Sequence, residues 1–123
     1  MATLSTKTSV CASQALRDDG EGLRFQITRA GQVEPAFTIR YAGRVYAYLN
    51  RCAHRGVELD WDAGRFFNET RQHLICATHG ALYDPQTGIC IHGPCRGERL
   101  VPLVVSEAEG QVWLDEEVPV APQ

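Results

Sequence analysis

Apolar and polar residues alternate with a period of two in Leu23-Arg24-Phe25-Gln26-Ile27-Thr28, and again in Phe37-Thr38-Ile39-Arg40-Tyr41. A period of two sends successive side chains to opposite faces of an extended chain, which is the pattern of a half-buried strand. Gly31 and Pro35 punctuate the two runs. Ala42-Gly43 reads as a tight turn, with Val45 to Leu49 as the returning arm of a hairpin. Val101 to Val105 and Gln111 to Leu114 predict two more strands, parted by the turn signal Glu109-Gly110. No apolar stripe of helical spacing lasts beyond a turn or two. The expected fold class is therefore all-β, a small sandwich or barrel with long loops. Residues 1–22 read as a poorly ordered lead-in closed by Asp18-Asp19-Gly20-Glu21-Gly22, and residues 23–117 as one domain. Residues 118–123 carry two prolines and read as a tail that frays.

Composition removes several classes of function. A chain of 123 residues fits a single domain. The net charge is −3, and the 11 Arg and single Lys are scattered rather than grouped, so there is no electrostatic footprint for nucleic acid. No run approaches the roughly 18 apolar residues that cross a bilayer. Met1 to Val10 is polar and rich in Ser and Thr, without the apolar run of a secretory signal. The expected location is the cytoplasm, where thiols stay reduced. The cysteines number five: Cys11, Cys52, Cys76, Cys90 and Cys95. An odd count argues against a fully paired disulfide framework and in favour of metal binding or thiol chemistry.

Two short pieces carry that chemistry. One is Cys52-Ala53-His54 and the other Cys76-Ala77-Thr78-His79. Each places a thiolate and an imidazole close together on what the sequence predicts to be a loop tip, so two loops can close around one metal centre. The spacing leaves the centre open. Two Cys and two His make a tetrahedral structural zinc site, or they divide between the two irons of a [2Fe–2S] cluster.

The flanks narrow the choice. The first loop reads Asn50-Arg51-Cys52-Ala53-His54-Arg55-Gly56, and the second Cys76-Ala77-Thr78-His79-Gly80-Ala81-Leu82-Tyr83-Asp84, with Gly93-Pro94 further on. In this order they resemble the Rieske family, in particular its small soluble ferredoxins and stand-alone bacterial members, over roughly residues 23 to 114. The resemblance implies one [2Fe–2S] cluster, with Cys52 and Cys76 on one iron and His54 and His79 on the other. It also implies stacked antiparallel sheets with the cluster at one tip, covered by a third loop at Gly93-Pro94. Residues 55–75 separate His54 from Cys76, a longer gap than is usual in that family, and the excess is expected as a surface excursion over Trp61 to Gln72. Two ferric ions, two sulfides and two thiolates sum to zero charge, whereas four thiolates leave −2. Such a cluster accepts an electron more readily, at about −150 to +300 mV.

The implied role is a one-electron carrier between a flavoprotein reductase and a terminal oxygenase or similar enzyme. Two rivals stand beside it: a non-catalytic subunit of a larger oxidoreductase, such as a nitrite-reductase small subunit, and a structural zinc protein or redox sensor. The remaining groups have plainer readings. Cys11 is expected to pack as a small hydrophobe. His73 and His92 are expected to be ordinary strand or loop residues. Cys90 and Cys95 flank Ile91-His92-Gly93-Pro94 and are expected as free thiols in a reducing compartment. The extra cysteines that brace the loops of high-potential Rieske proteins correspond to Val57 and Thr78, so that brace is missing. The serine that follows the second His by two positions in those proteins corresponds to Ala81, which has no hydrogen to donate. Tyr83 is expected either to donate a hydrogen bond to a ligand sulfur or simply to pack.

Overall fold

A computed structural model of the chain describes residues 3–29, 31–53, 58–60, 64–76 and 80–119. They form nine strands: β1 (Thr3–Ala12), β2 (Leu23–Arg29), β3 (Gln32–Tyr41), β4 (Arg44–Leu49), β5 (Leu74–Ile75), β6 (Leu82–Tyr83), β7 (Cys90–His92), β8 (Pro102–Ala108) and β9 (Gln111–Pro119). The only helical turn among the described residues is a 3₁₀ turn at Ser13–Ala15. All-β is thus the observed class.

The strands make a six-stranded sheet in the order β1-β9-β8-β4-β3-β2 and a three-stranded sheet in the order β5-β6-β7, antiparallel throughout. The larger sheet consists of two three-stranded halves. Their seam is narrow: β4 and β8 share only the pairs Ala47↔Leu103 and Tyr48↔Pro102. The Arg40 guanidinium on β3 reinforces it, donating to both carboxylate oxygens of Glu107 on β8 at 2.8 and 2.6 Å. The stacked antiparallel sheets that the resemblance implies are thus the two halves of the large sheet and the small three-stranded one.

Both hairpin turns fall where the sequence puts them. Ala42 and Gly43 have φ of 51° and 80°, and Glu109 and Gly110 have 55° and 75°. Two successive positive φ values give the turn whose twist matches that of the flanking strands.

Several readings are corrected. The supposed lead-in contains β1, which pairs with β9 from Thr3↔Pro119 to Ala12↔Gln111, with a bulge between Ser9 and Cys11. Its Thr residues carry strand propensity without an apolar period, so alternation alone does not reveal it. The same pairing holds Val118 and Pro119, the start of the supposed tail, while residues 120–123 lie outside the described residues. Strand β3 is not half-buried either: Ala36, Phe37, Thr38 and Ile39 are all fully buried. Phe37 and Ile39 join a core with Tyr48, Leu59, Phe66, Leu74 and Tyr83, while Ala36 joins Ile27, Leu49 and Leu114 on the other side. Thr38 is tolerated there because its hydroxyl donates to the Tyr46 carbonyl at 2.9 Å.

The long gap between the two Cys/His pieces is also more than a surface excursion. Phe66 is fully buried and stacks on Phe37, with ring centroids 4.0 Å apart and 10° between planes. Ile75 N–H donates to the Phe66 carbonyl at 2.8 Å, and Phe67 bridges to Leu74. The gap thus sends an aromatic anchor into the core beneath the small sheet. Asn68 to Gln72 form an outward turn, and residues 61–63 lie outside the described residues.

Candidate metal centre

Cys52 follows the end of β4, and Cys76 follows β5. Their residues are 1% and 0% exposed, so two sulfurs from distant parts of the sequence are withdrawn from water into one core. His54 and His79 lie outside the described residues, as do their immediate neighbours 55–57 and 77–78.

The first loop is fastened by buried side chains. Asn50 Oδ1 accepts the Leu59 N–H at 2.9 Å, and Asn50 Nδ2 donates to Asp60 Oδ1 at 2.9 Å. Asp60 Oδ2 accepts the Gly64 N–H at 2.9 Å. The arms entering and leaving residues 51–58 are therefore tied together at their base. Both polar residues are buried, which is tolerable only because these bonds are made. Arg24 approaches Asp60 Oδ2 at 3.4 Å and pairs with Glu58.

The second loop is fastened by main chain. Cys76 N–H donates to the Ala81 carbonyl at 2.9 Å, and Gly80 N–H donates to the Cys76 carbonyl at 2.7 Å. The third loop leans on it. Gly93 has φ of 109°, and a Cβ there would lie 2.9 Å from Ala81 Cα, so only glycine allows the approach.

Tyr83 sits between the loops. Its hydroxyl lies 3.2 Å from Cys52 Sγ and 3.2 Å from Cys95 Sγ, and it accepts the Ala53 N–H at 3.1 Å. Burial, followed by the neighbouring thiols, pushes this phenol far above its ordinary value, so it stays a protonated donor. Cys95 in turn lies 2.9 Å from Cys90, whose thiol donates to the His92 carbonyl at 3.3 Å. Burial and the Cys95 hydrogen bond push the Cys90 thiol up to about 11. Both are free thiols, as is the half-buried Cys11. His73 is half-buried and His92 exposed.

Residues 6–113 match the family model described as the Rieske [2Fe-2S] domain. The chain belongs to that family. The oxidoreductase NdmD of Pseudomonas putida is 33% identical over 96 residues, which is 72% of this chain and 15% of NdmD. Among solved structures, the ferredoxin of carbazole 1,9a-dioxygenase from Nocardioides aromaticivorans superposes with a TM-score of 0.66 at 21% identity, over 89% of this chain and 96% of that one. A complex of reduced oxygenase and oxidized ferredoxin in carbazole 1,9a-dioxygenase gives 0.66 at 23%, over 88% and 91%. A fluorene-bound oxygenase and ferredoxin complex of the same enzyme gives 0.69 at 24%, but this chain spans only 28% of the matched chain. At these identities the likenesses speak for the fold.

The group of a Rieske domain is one [2Fe–2S] cluster. The described residues suit it. Two buried sulfurs supply soft donors, and the Tyr83 hydroxyl is placed to bond the sulfur of one of them. Sequence reasoning singled out Cys52, Cys76 and Tyr83 but missed Asn50 and Asp60. Asn50, at the start of the first Cys/His piece, and Asp60, between the apolar Leu59 and Trp61, were the available signals.

Proposed function

We propose that this Rieske domain holds its cluster through Cys52 and Cys76 on one iron and His54 and His79 on the other, and that it carries single electrons from a flavoprotein reductase to a terminal oxygenase. The observation that carries the reading is the Tyr83 hydroxyl lodged 3.2 Å from the buried Cys52 sulfur. Between a neutral thiol and a phenol either atom could donate, whereas beside a metal-bound thiolate the phenol can only be the donor. The thiolate gains from that donor. The cluster supplies one-electron redox chemistry. The protein fastens the two ligand loops, excludes water from the sulfurs and sets a hydrogen bond that favours the more negative, reduced state.

The ferredoxins among the structural relatives, one of them in complex with an oxygenase, support the choice of acceptor. A second reading draws on the short spans of this chain within NdmD and within the 28%-covered oxygenase complex chain: the same domain serving as one module of a larger oxidoreductase. Both readings fit the cytoplasm. No helix among the described residues is long and apolar enough to cross a membrane.

The purified protein should be reddish-brown, with about two irons and two sulfides per chain. Replacing Cys52, His54, Cys76 or His79 by Ala should abolish the colour. A colourless protein with one tightly bound zinc refutes the cluster. Failure of the reduced protein to donate to any oxygenase, alongside co-purification with a larger redox enzyme, favours the second reading over the first.

A further inference from the structure

The cluster reading leaves two buried cysteines without a task, and the fold sets them side by side. Cys90 begins β7 and Cys95 lies in the turn that follows it. The main chain holds this turn closed: Cys90 N–H donates to the Glu98 carbonyl at 2.7 Å, Gly97 N–H to the Cys90 carbonyl at 3.0 Å, and Glu98 N–H to the Cys95 carbonyl at 2.8 Å. The two Sγ atoms end 2.9 Å apart, already closer than two non-bonded sulfurs prefer. A disulfide needs about 2.05 Å, so the two sulfurs have less than about 1 Å left to close.

The pair is also wired to the ligand loops. From Cys90 the hydrogen-bonded path runs to Cys95 Sγ, then over 3.2 Å to the Tyr83 hydroxyl, then over a further 3.2 Å to Cys52 Sγ. A phenol has one hydrogen. In the dithiol state two sulfurs compete for it.

We infer that Cys90 and Cys95 form a reversible disulfide site whose oxidation state adjusts the cluster through Tyr83. This rests on the cluster reading for its effect but not for the thiol chemistry. The oxidant is a small-molecule disulfide. One cysteine thiolate attacks it, its S–S bond breaks and one thiol leaves. The second cysteine then displaces the other half from the mixed disulfide. The cysteine pair loses two electrons and two protons, and the oxidant departs as two thiols. Burial of both sulfurs makes the exchange slow, and the exposed residues 91–94 and 96–97 around them provide the approach. Once bridged, Cys95 Sγ moves toward Cys90 and becomes a poorer acceptor. The Tyr83 hydrogen then goes to Cys52 Sγ, which favours the reduced cluster.

The test uses the cluster-loaded protein equilibrated in glutathione buffers of graded oxidised-to-reduced ratio, quenched by alkylation after unfolding. The expected result is a species lighter by two hydrogens, mapped to the 90–95 peptide, that disappears on return to reduced glutathione. It should be absent in Cys90→Ser and in Cys95→Ser. Voltammetry should show the bridged form at a higher potential than the dithiol form. Tyr83→Phe should form the same bridge with no shift in potential. Full alkylation of both thiols at every ratio overturns the site, as does glutathione stopping on one cysteine. A bridge that leaves the wild-type potential unchanged overturns the coupling. The peptide mass is read without the cluster, so a chain that bridges but holds no [2Fe–2S] group sinks the cluster reading and leaves the thiol pair standing.

Discussion

The two cysteine-bearing loops reach the same core by opposite means. The first is tied at its base by side chains, through the Asn50–Asp60 pair and the two N–H groups they capture. The second is tied by main chain across Cys76–Ala81 and by the close approach of Gly93. A side-chain clip suits a long connection, because it brings together residues that no strand ladder would join. A main-chain clip suits a short one, where the ends are already in register on β5 and β6. The loop with the side-chain clip should therefore be the one that single substitutions undo most easily.

The largest expected effect is Asn50→Ala. It strands the buried Leu59 N–H and one Asp60 oxygen, and should cost about 2–4 kcal/mol in denaturant unfolding, with partial loss of colour. An unchanged midpoint would mean that water replaces the clip and that the contrast between the loops is not energetic. Next comes Gly93→Ala on the other side, where a Cβ would press on Ala81 Cα at a φ that disfavours alanine. It should cost about 1–3 kcal/mol by the same measurement. A cost above that of Asn50→Ala would reverse the ranking.

Potentials probe the loops more finely. Tyr83→Phe removes the donor to Cys52 Sγ, so the reduced state loses a hydrogen bond and the potential should fall by about 20–65 mV. The wild-type value should lie near the low end of the Rieske range, about −150 mV, since Ala81 offers no donor and no disulfide braces the loops. Ala81→Ser adds a donor on the second loop and should raise it by about 20 mV, the low end of that span, because Ala81 is buried against Gly93. A fall, or a wild-type value above zero, would hand control of the potential to solvent access or buried charge. The smallest effect belongs to the rim. Arg51 pairs with Glu34 at 2.6 Å but is 46% exposed, so Glu34→Gln should shift stability by less than about 1 kcal/mol.

What the sequence disclosed and what it hid divide along a physical line. Short-range signals were legible: the two glycine-bearing hairpin turns, the alternation in β2, and Cys52 and Cys76 with Tyr83 beside them. Long-range consequences were not. The strand β1 has no apolar period and exists because β9 offers it a partner. Thr38 looks like a solvent-facing residue until a second core covers its face. Phe66 reads as part of an insertion until Phe37 stacks on it. The Asn50–Asp60 clip joins residues ten apart whose pairing depends on a path that no local pattern encodes. Cys90 and Cys95 were visible as a close pair, but their link to Cys52 needed the position of the Tyr83 hydroxyl.

The ladder between β1 and β9 places Thr3 directly opposite Pro119. The two ends of this ladder are thus adjacent, on the half of the large sheet that bears neither Cys52 nor Cys76. A host protein could thread its chain in at one of these points and out at the other without separating its own flanking segments. Equally, a short linker could join the two points and the chain could be opened at Ala42-Gly43, leaving both cysteine-bearing loops in their original frame. In engineering terms the domain offers one attachment point for both connections, in the half of the large sheet that bears neither Cys52 nor Cys76.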